Sequence, residues 1–243
     1  MELESFIYDE RVVGGPAICL MPHYFDDMPQ VQTGPVYNGV LQLVNPQATR
    51  TTVGCIRNCE FCGVDKIEIS FNELTDWPDL PIICDNNLLA ASRKHFDRVI
   101  DRLKKHEWSD FNQGIDARLL KDYHASRFAE LKNPVIRLAL DSMEYVDQWE
   151  KAFDTLRKAG LPKKSIRSYA LIGFDSGPAE AWERCEYITG KGIKVLPQWY
   201  HALDQLEHNI VTENQENLGW TDRNRTNIMG WYYKHRGEKG PLR

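Results

Sequence analysis

The chain lacks any long hydrophobic run. Its most apolar stretches, such as Val135 to Leu140, are far too short to cross a bilayer. The opening Met1-Glu2-Leu3-Glu4 carries neither a basic segment nor an apolar one, so no secretory signal is expected. Positive charge is not in excess either. Thirty Lys and Arg stand against 35 Asp and Glu, a net charge of −5. That balance argues against attraction of the whole surface to nucleic acid or anionic membrane, and leaves only a local basic patch open. Repeats of solenoid period and low-complexity tracts are missing, which excludes arrays and solvated tails as the main architecture. What remains is an ordinary globular composition, 42% hydrophobic and 27% charged over 243 residues. Such a chain builds one large α/β domain or two small ones. A cytoplasmic protein with no membrane partner is the expectation.

Cysteine is sparse and unevenly placed. There are six, too few and too irregular for a disulfide framework in a chain long enough to form its own core. Cys19, Cys84 and Cys185 stand alone and read as small buried apolar side chains. The other three crowd into Cys55–Cys62.

The middle of the chain alternates β-like runs with helical patterns. The runs are Arg50–Val53, Pro81–Cys84, Phe111–Ile115, Val135–Leu140, Ile166–Phe174 and Ile193–Trp199. Between them, Ser92–Glu107, Ala117–Leu131, Met143–Ala159 and Pro178–Gly190 carry apolar residues at helical spacing. Strand followed by helix, repeated, implies parallel strands joined by right-handed crossovers. An open doubly wound sheet and a barrel both satisfy that pattern. Residues 1–49, with Gly14-Gly15-Pro16, Pro22, Pro29 and Gly34-Pro35, read as an irregular N-terminal extension packed on the core. Residues 50–207 hold the alternating pattern, and 208–243 form a basic and aromatic C-terminal extension.

The segment Gly54-Cys55-Ile56-Arg57-Asn58-Cys59-Glu60-Phe61-Cys62-Gly63 follows the first run. Its spacing is C-x3-C-x2-C, with an aromatic residue before the last cysteine. Three thiolates on one loop ligate three irons of a cubane cluster and leave the fourth open to a small molecule. Structural zinc is the plainer alternative, but zinc usually takes four ligands, commonly as two close pairs. Here a fourth would come from Cys84, Cys185 or a histidine far along the chain.

The motif and its place after the first strand resemble the radical S-adenosylmethionine (SAM) superfamily. The resemblance covers roughly residues 50 to 205. It implies a partial (β/α)6 barrel of that family's type, with a [4Fe–4S] cluster on Cys55, Cys59 and Cys62. It implies reductive cleavage of SAM to methionine and a 5′-deoxyadenosyl radical, which takes hydrogen from a substrate. It also implies an electron donor such as flavodoxin or ferredoxin. The cofactors carry the chemistry, and the protein supplies orientation and exclusion of water.

Ligands of parallel β/α folds gather at the carboxyl ends of the strands, and these ends are polar here. The second run ends in Asp85-Asn86-Asn87, where many relatives carry Gly-Gly-Glu for the SAM amino group. The trio is similar to a variant seen in other branches and is also a simple Asx turn. The third gives Asn112, Gly114 and Asp116 on one face, with Asp116 either facing the lumen or capping a helix. The fourth groups Arg137, Ala139 and Asp141 opposite Ile136, Leu138 and Leu140. Arg137 either holds the SAM carboxylate or pairs with Asp116 or Asp141. Asp141-Ser142 resembles a Glu-Ser that contacts the SAM ribose. Gly173 belongs to a partial match to Gly-x-Ile-x-Gly near the adenine, and Phe61 completes the expected cofactor-binding set.

The substrate is open. Glycyl-radical-activating enzymes match in length and single cluster, but usually place the cysteines earlier and keep Gly-Gly-Glu. The tail from Trp220 mixes Arg223, Arg225, Lys234, Arg236, Lys239 and Arg243 with Trp231-Tyr232-Tyr233. It suits phosphates and stacked bases, hence nucleic acid, or is an ordinary solvated and partly disordered tail.

Overall fold

A computed structural model describes residues 11–13, 19–29, 31–33, 40–68, 70–203 and 205–235. Six parallel strands form one sheet: β1 (Ala48–Thr49), β2 (Ile82–Ile83), β3 (Ser109–Phe111), β4 (Pro134–Ala139), β5 (Ile166–Ile172) and β6 (Lys194–Trp199). Their spatial order is their order in the chain. There is no point at which the winding reverses, which separates this sheet from a doubly wound one. With right-handed crossovers, an unreversed order sends every helix to the same face.

Side-chain burial follows from that. Ile136, Leu138 and Leu140 are fully buried on the helix side of β4. On β5, Ile166, Ser168, Ala170 and Ile172 are buried while Arg167, Tyr169 and Leu171 between them are half-buried. The helices α1 (Arg93–Leu103), α2 (Asp122–Ala129), α3 (Val146–Lys158) and α4 (Pro178–Gly190) supply the covering stripes. Helix α3 buries Trp149, Ala152, Phe153 and Leu156, each large side chain contributing roughly 1.5–3 kcal/mol. The Trp149 indole stays satisfied by donating to Ser168 Oγ at 3.0 Å. Phe111 of β3 meets Phe128 of α2 edge-on at 4.8 Å. No helix among the described residues is long and apolar enough to cross a membrane.

Three expectations change. The first run does not continue as one sheet strand. The sheet strand is Ala48–Thr49, just ahead of the expected Arg50–Val53, and within that run Thr52–Val53 pairs antiparallel with Asn72–Glu73 outside the sheet. The Asp85 carboxylate takes the amides of Thr51 (2.5 Å) and Thr52 (3.0 Å), diverting the donors a sheet ladder would need. The stretch after His208 is no solvated tail as far as residue 235. It forms α5 (Glu213–Asn217) and α6 (Asp222–His235), and Trp220, Ile228 and Tyr232 join the main core. Residues Arg236, Glu238, Lys239 and Arg243 lie outside the described residues, as do Gly14–Pro16 and Gly34-Pro35. Finally, Cys84 and Cys185 are buried but Cys19 is exposed. Burial pushes the Cys185 thiol up to about 12.

Candidate active site

The cysteine loop is fastened before its thiols are considered. Upstream, the Asp85 carboxylate accepts from the amides of Thr51 and Thr52 and from the Thr51 hydroxyl. Downstream, Glu68 receives Arg50 through two bonds of 2.5 and 2.7 Å, together with the Gly54 amide and Asn86 Nδ2 at 2.9 Å. Burial pushes against ionisation of Glu68, but these donors prevail and hold its carboxyl below the usual range. Gly54 has φ +77°, and a Cβ there would lie 2.2 Å from the Ser70 carbonyl oxygen, so only glycine fits.

Cys55, Cys59 and Cys62 are half-buried on this loop. Hydrogen-bond donors point at their sulfurs. The Arg57 amide reaches Cys55 at 3.3 Å and Asn87 Nδ2 reaches it at 3.5 Å. The Val64 amide serves Cys62, and the Arg118 guanidinium serves Cys59. Burial raises the Cys59 and Cys62 thiols, against these donors. Each also feels the charge of its neighbours, so the three sulfurs share one electrostatic environment. Among the described residues, no three His, Cys, Asp or Glu side chains converge closely enough to hold a single metal ion. The donor set fits a cluster better than an ion: three thiols on one loop, N–H donors on the sulfurs, and cationic Arg57 and Arg118 to offset thiolate charge.

A cleft of about 760 Å³ opens beside the loop, within the size range of small-molecule sites. Arg57, Cys59 and Phe61 line it from the loop. Asp116 and Arg118 line it from beyond β3, Asp141 and Ser142 from beyond β4, and Phe174 and Asp175 from beyond β5. These are the carboxyl ends of successive strands, where parallel β/α folds place their ligands. Asp116 ties the two walls together, accepting from Arg57 Nε at 2.9 Å, Arg118 Nε at 2.8 Å and Asn87 Nδ2 at 3.3 Å. Burial opposes its charge, yet the two guanidinium groups hold its carboxyl below the usual range. Asp141 differs: burial pushes its carboxyl up, and the Leu171 amide at 3.2 Å only partly offsets this. Ser142 Oγ accepts the Glu144 amide at 3.3 Å. Phe61 and Phe174 meet edge-on at 5.5 Å and form an aromatic wall.

Of the residues expected from sequence, Phe61, Asp116, Asp141 and Ser142 line the cleft, and Asn87 touches Cys55. Four take other places. Asp85 and Asn86 do not line the cleft; their polar groups are spent on Thr51-Thr52 and Glu68. Arg137 pairs with neither Asp116 nor Asp141 but with Asp110, through contacts of 2.6 and 2.7 Å, and with Asn112 Oδ1. Asp110 precedes the expected third run by one residue and was not considered as a partner. Gly173, at φ +80°, is required by packing: a Cβ would fall 2.5 Å from the Trp199 ring. Arg57, Arg118 and Phe174 were missed. Arg57 lies inside the motif, Arg118 stands two residues after Asp116 and Phe174 directly follows Gly173, so position alone signalled them.

Among the described residues several buried atoms around the loop lack a hydrogen-bond partner, Thr52 Oγ1, Asp65 Oδ1 and Asn87 Oδ1 among them. Asn87 is 3% exposed, and its Oδ1 accepts no hydrogen bond although its Nδ2 is used. A buried acceptor left without a partner is costly. No protein-family model matches the chain, and a search of curated proteins gives no match.

Proposed function

We propose that this chain is a radical SAM enzyme built as a partial (β/α)6 barrel, with its [4Fe–4S] cluster on Cys55, Cys59 and Cys62. The observation that carries the reading is the juxtaposition of a three-cysteine loop, ringed by N–H donors, with a cleft at the strands' carboxyl ends. When bound, such a cluster with one open iron supplies the electron that reductively cleaves SAM. The protein's own residues hold and orient the cofactors. Asn87 Oδ1, buried and unpartnered, is set to accept from the ammonium of the methionine moiety. Asp141 and Ser142 are set toward the ribose hydroxyls, and Phe61 with Phe174 offers a wall against which an adenine packs. Arg57 and Arg118, both held by Asp116, offset thiolate charge and fix the loop against β3. The remainder of the cleft excludes water from a reactive intermediate.

Anaerobic reconstitution tests the reading. Brown protein with about four irons and broad absorbance near about 400 nm is expected of such a cluster. Cys55→Ala, Cys59→Ala or Cys62→Ala should abolish it, and Cys84→Ala or Cys185→Ala should not. Colourless protein carrying zinc would refute the proposal.

A further inference from the structure

The loop that follows β5 carries Phe174 and Asp175 into the cleft. Its carbonyls are met by residues that do not line the cleft. The Tyr200 amide, just past β6, reaches the Ile172 carbonyl oxygen at 2.9 Å. Arg184 of α4, fully buried, donates to the Leu171 carbonyl oxygen and to Ser176 Oγ at 3.0 Å. Two further donors belong to the C-terminal segment. Gln215 Nε2 donates to the Gly173 carbonyl oxygen at 2.8 Å, and the Trp220 indole donates to that of Ser176 at 2.8 Å. The approach is close: a Cβ at Gly177 would stand 2.7 Å from the Leu218 carbonyl oxygen.

Gln215 is 4% exposed, and both ends of its amide are used. Its Oε1 accepts from the Thr212 amide at 2.9 Å and the Thr212 hydroxyl at 3.1 Å, which caps α5. Its Nε2 donates a second bond, to the Tyr200 carbonyl oxygen at 3.2 Å. The cap is local and uses only the acceptor. The donated bonds reach 42 and 15 residues back along the chain, to the ends of β5 and β6. A buried amide is costly unless its hydrogen bonds are made, and a cap alone does not require this burial. One side chain thus pins the backbone at two aromatic rings. Phe174 and Tyr200 meet edge-on at 4.9 Å, and Phe174 meets Phe61 of the cysteine loop at 5.5 Å.

We infer that Gln215 is a positioning residue of the cleft: its two donated bonds fix Phe174 and Tyr200 and so set the aromatic wall on which the ligand packs. The inference rests on the proposed SAM reading for the identity of that ligand, an adenine, but the placement of the rings does not. A ring held before binding need not be ordered by the ligand, and ordering one such side chain is worth about three- to tenfold in affinity.

Fluorine NMR on the full chain, with para-fluorophenylalanine placed at Phe174, tests the placement directly. The same label at Phe128, fully buried in the core, is the control. Gln215→Met removes both donated bonds. Gln215→Glu keeps the cap acceptor, and a carboxyl has at most one hydrogen where the amide has two, so at least one carbonyl loses its donor in either protonation state. Both variants should shift or broaden the Phe174 signal and leave that of Phe128 unchanged; Gln215→Glu decides alone if Gln215→Met does not fold. Thr212→Ala weakens the cap and should lower the melting temperature, yet leave the Phe174 signal in place. In equilibrium titration Gln215→Glu should bind SAM about three- to tenfold more weakly than the parent. An unmoved Phe174 signal in Gln215→Glu, an equal shift in Thr212→Ala, or unchanged SAM affinity where the parent binds would each overturn the inference. A parent that binds no SAM would instead sink the cofactor reading, and the fluorine signals would still decide whether Gln215 sets the rings.

Discussion

Replacing Arg137 with Met removes a charge and keeps most of the volume. The structure fixes what is left behind: Asp110, whose side chain is 15% exposed, loses both contacts to a guanidinium that is 9% exposed. Asn112 Oδ1 loses its donor as well. Breaking a buried pair from one side typically costs about 3–5 kcal/mol, because the remaining charge is uncompensated. In a chain of this size each kcal/mol moves Tm by about 2–4 °C, so a fall of about 6–20 °C is expected. The pH dependence has a definite sign. Burial already raises the Asp110 carboxyl, with Arg137 and Arg167 opposing it. Without Arg137 it rises further, so the folded variant binds a proton more readily than the unfolded chain does. The variant's deficit should therefore shrink as pH falls through the raised folded-state value of Asp110 and stand at its full size above it. Adding Asp110→Leu to Arg137→Met should recover much of the loss, and a double-mutant cycle measured by calorimetry gives the coupling. An unchanged Tm, or a deficit independent of pH, would refute the buried-pair argument.

The other expectations are more local. Asn87→Ala should leave reconstituted iron near the parent's level while SAM affinity, measured by equilibrium titration, falls at least about tenfold, the worth of one charge-assisted bond; unchanged affinity removes Asn87 from the site. Glu68 has a folded-state carboxyl held below its ordinary value by Arg50, Gly54 and Asn86. Its contribution is complete above the ordinary glutamate pKa of about 4.3 and is lost as pH falls through the folded value. Melting curves of Glu68→Gln should accordingly differ from the parent at pH 7 and converge with it in acid. Gly173→Ala meets both a left-handed backbone and the Trp199 ring at 2.5 Å. It should lower stability by about 2–4 kcal/mol in urea unfolding, whereas Gly190→Ala, where a Cβ meets nothing within 4 Å, should not.

Much of the sheet was legible because its period is strict. Along Val135–Asp141 the large apolar Ile136, Leu138 and Leu140 alternate with Arg137, Ala139 and Asp141, and the structure buries Ile136, Leu138 and Leu140 together. The helices were legible for the same reason, from stripes such as Phe96, Val99, Ile100 and Leu103. Periodicity does not encode strand order, so the choice between a reversed and an unreversed sheet waited for the pairing itself. The first run was misread because its backbone donors go to a side chain, Asp85, 34 residues away. Arg137 was placed on the correct face but with the wrong partner, since alternation gives a direction and not a neighbour. The segment from Trp220 looked like an aromatic tail because its apolar residues lie among Arg and Lys; the four-residue spacing of Ile228 and Tyr232, both buried, was the overlooked signal. In the candidate site, the cysteines, Asp116 and Asp141 were visible as strand-end polar residues. Asp85 and Asn86 showed the same signal and serve the loop from behind.

The fastening of the cysteine loop has a consequence for how the protein is made. The thiols at Cys55–Cys62 leave the ribosome before either of their main anchors. Asp85 follows Thr51 by 34 residues, and Asp116 follows Arg57 by 59. Contacts of such separation form late relative to local ones. During synthesis the three thiols therefore stand unguarded by Asn87 and Arg118, open to oxidation or to an unintended metal, until about half of the sheet exists. Slow elongation just after the cysteines should lower the yield of protein with three free thiols, counted by thiol titration, while the same delay placed after Arg118 should leave it unchanged.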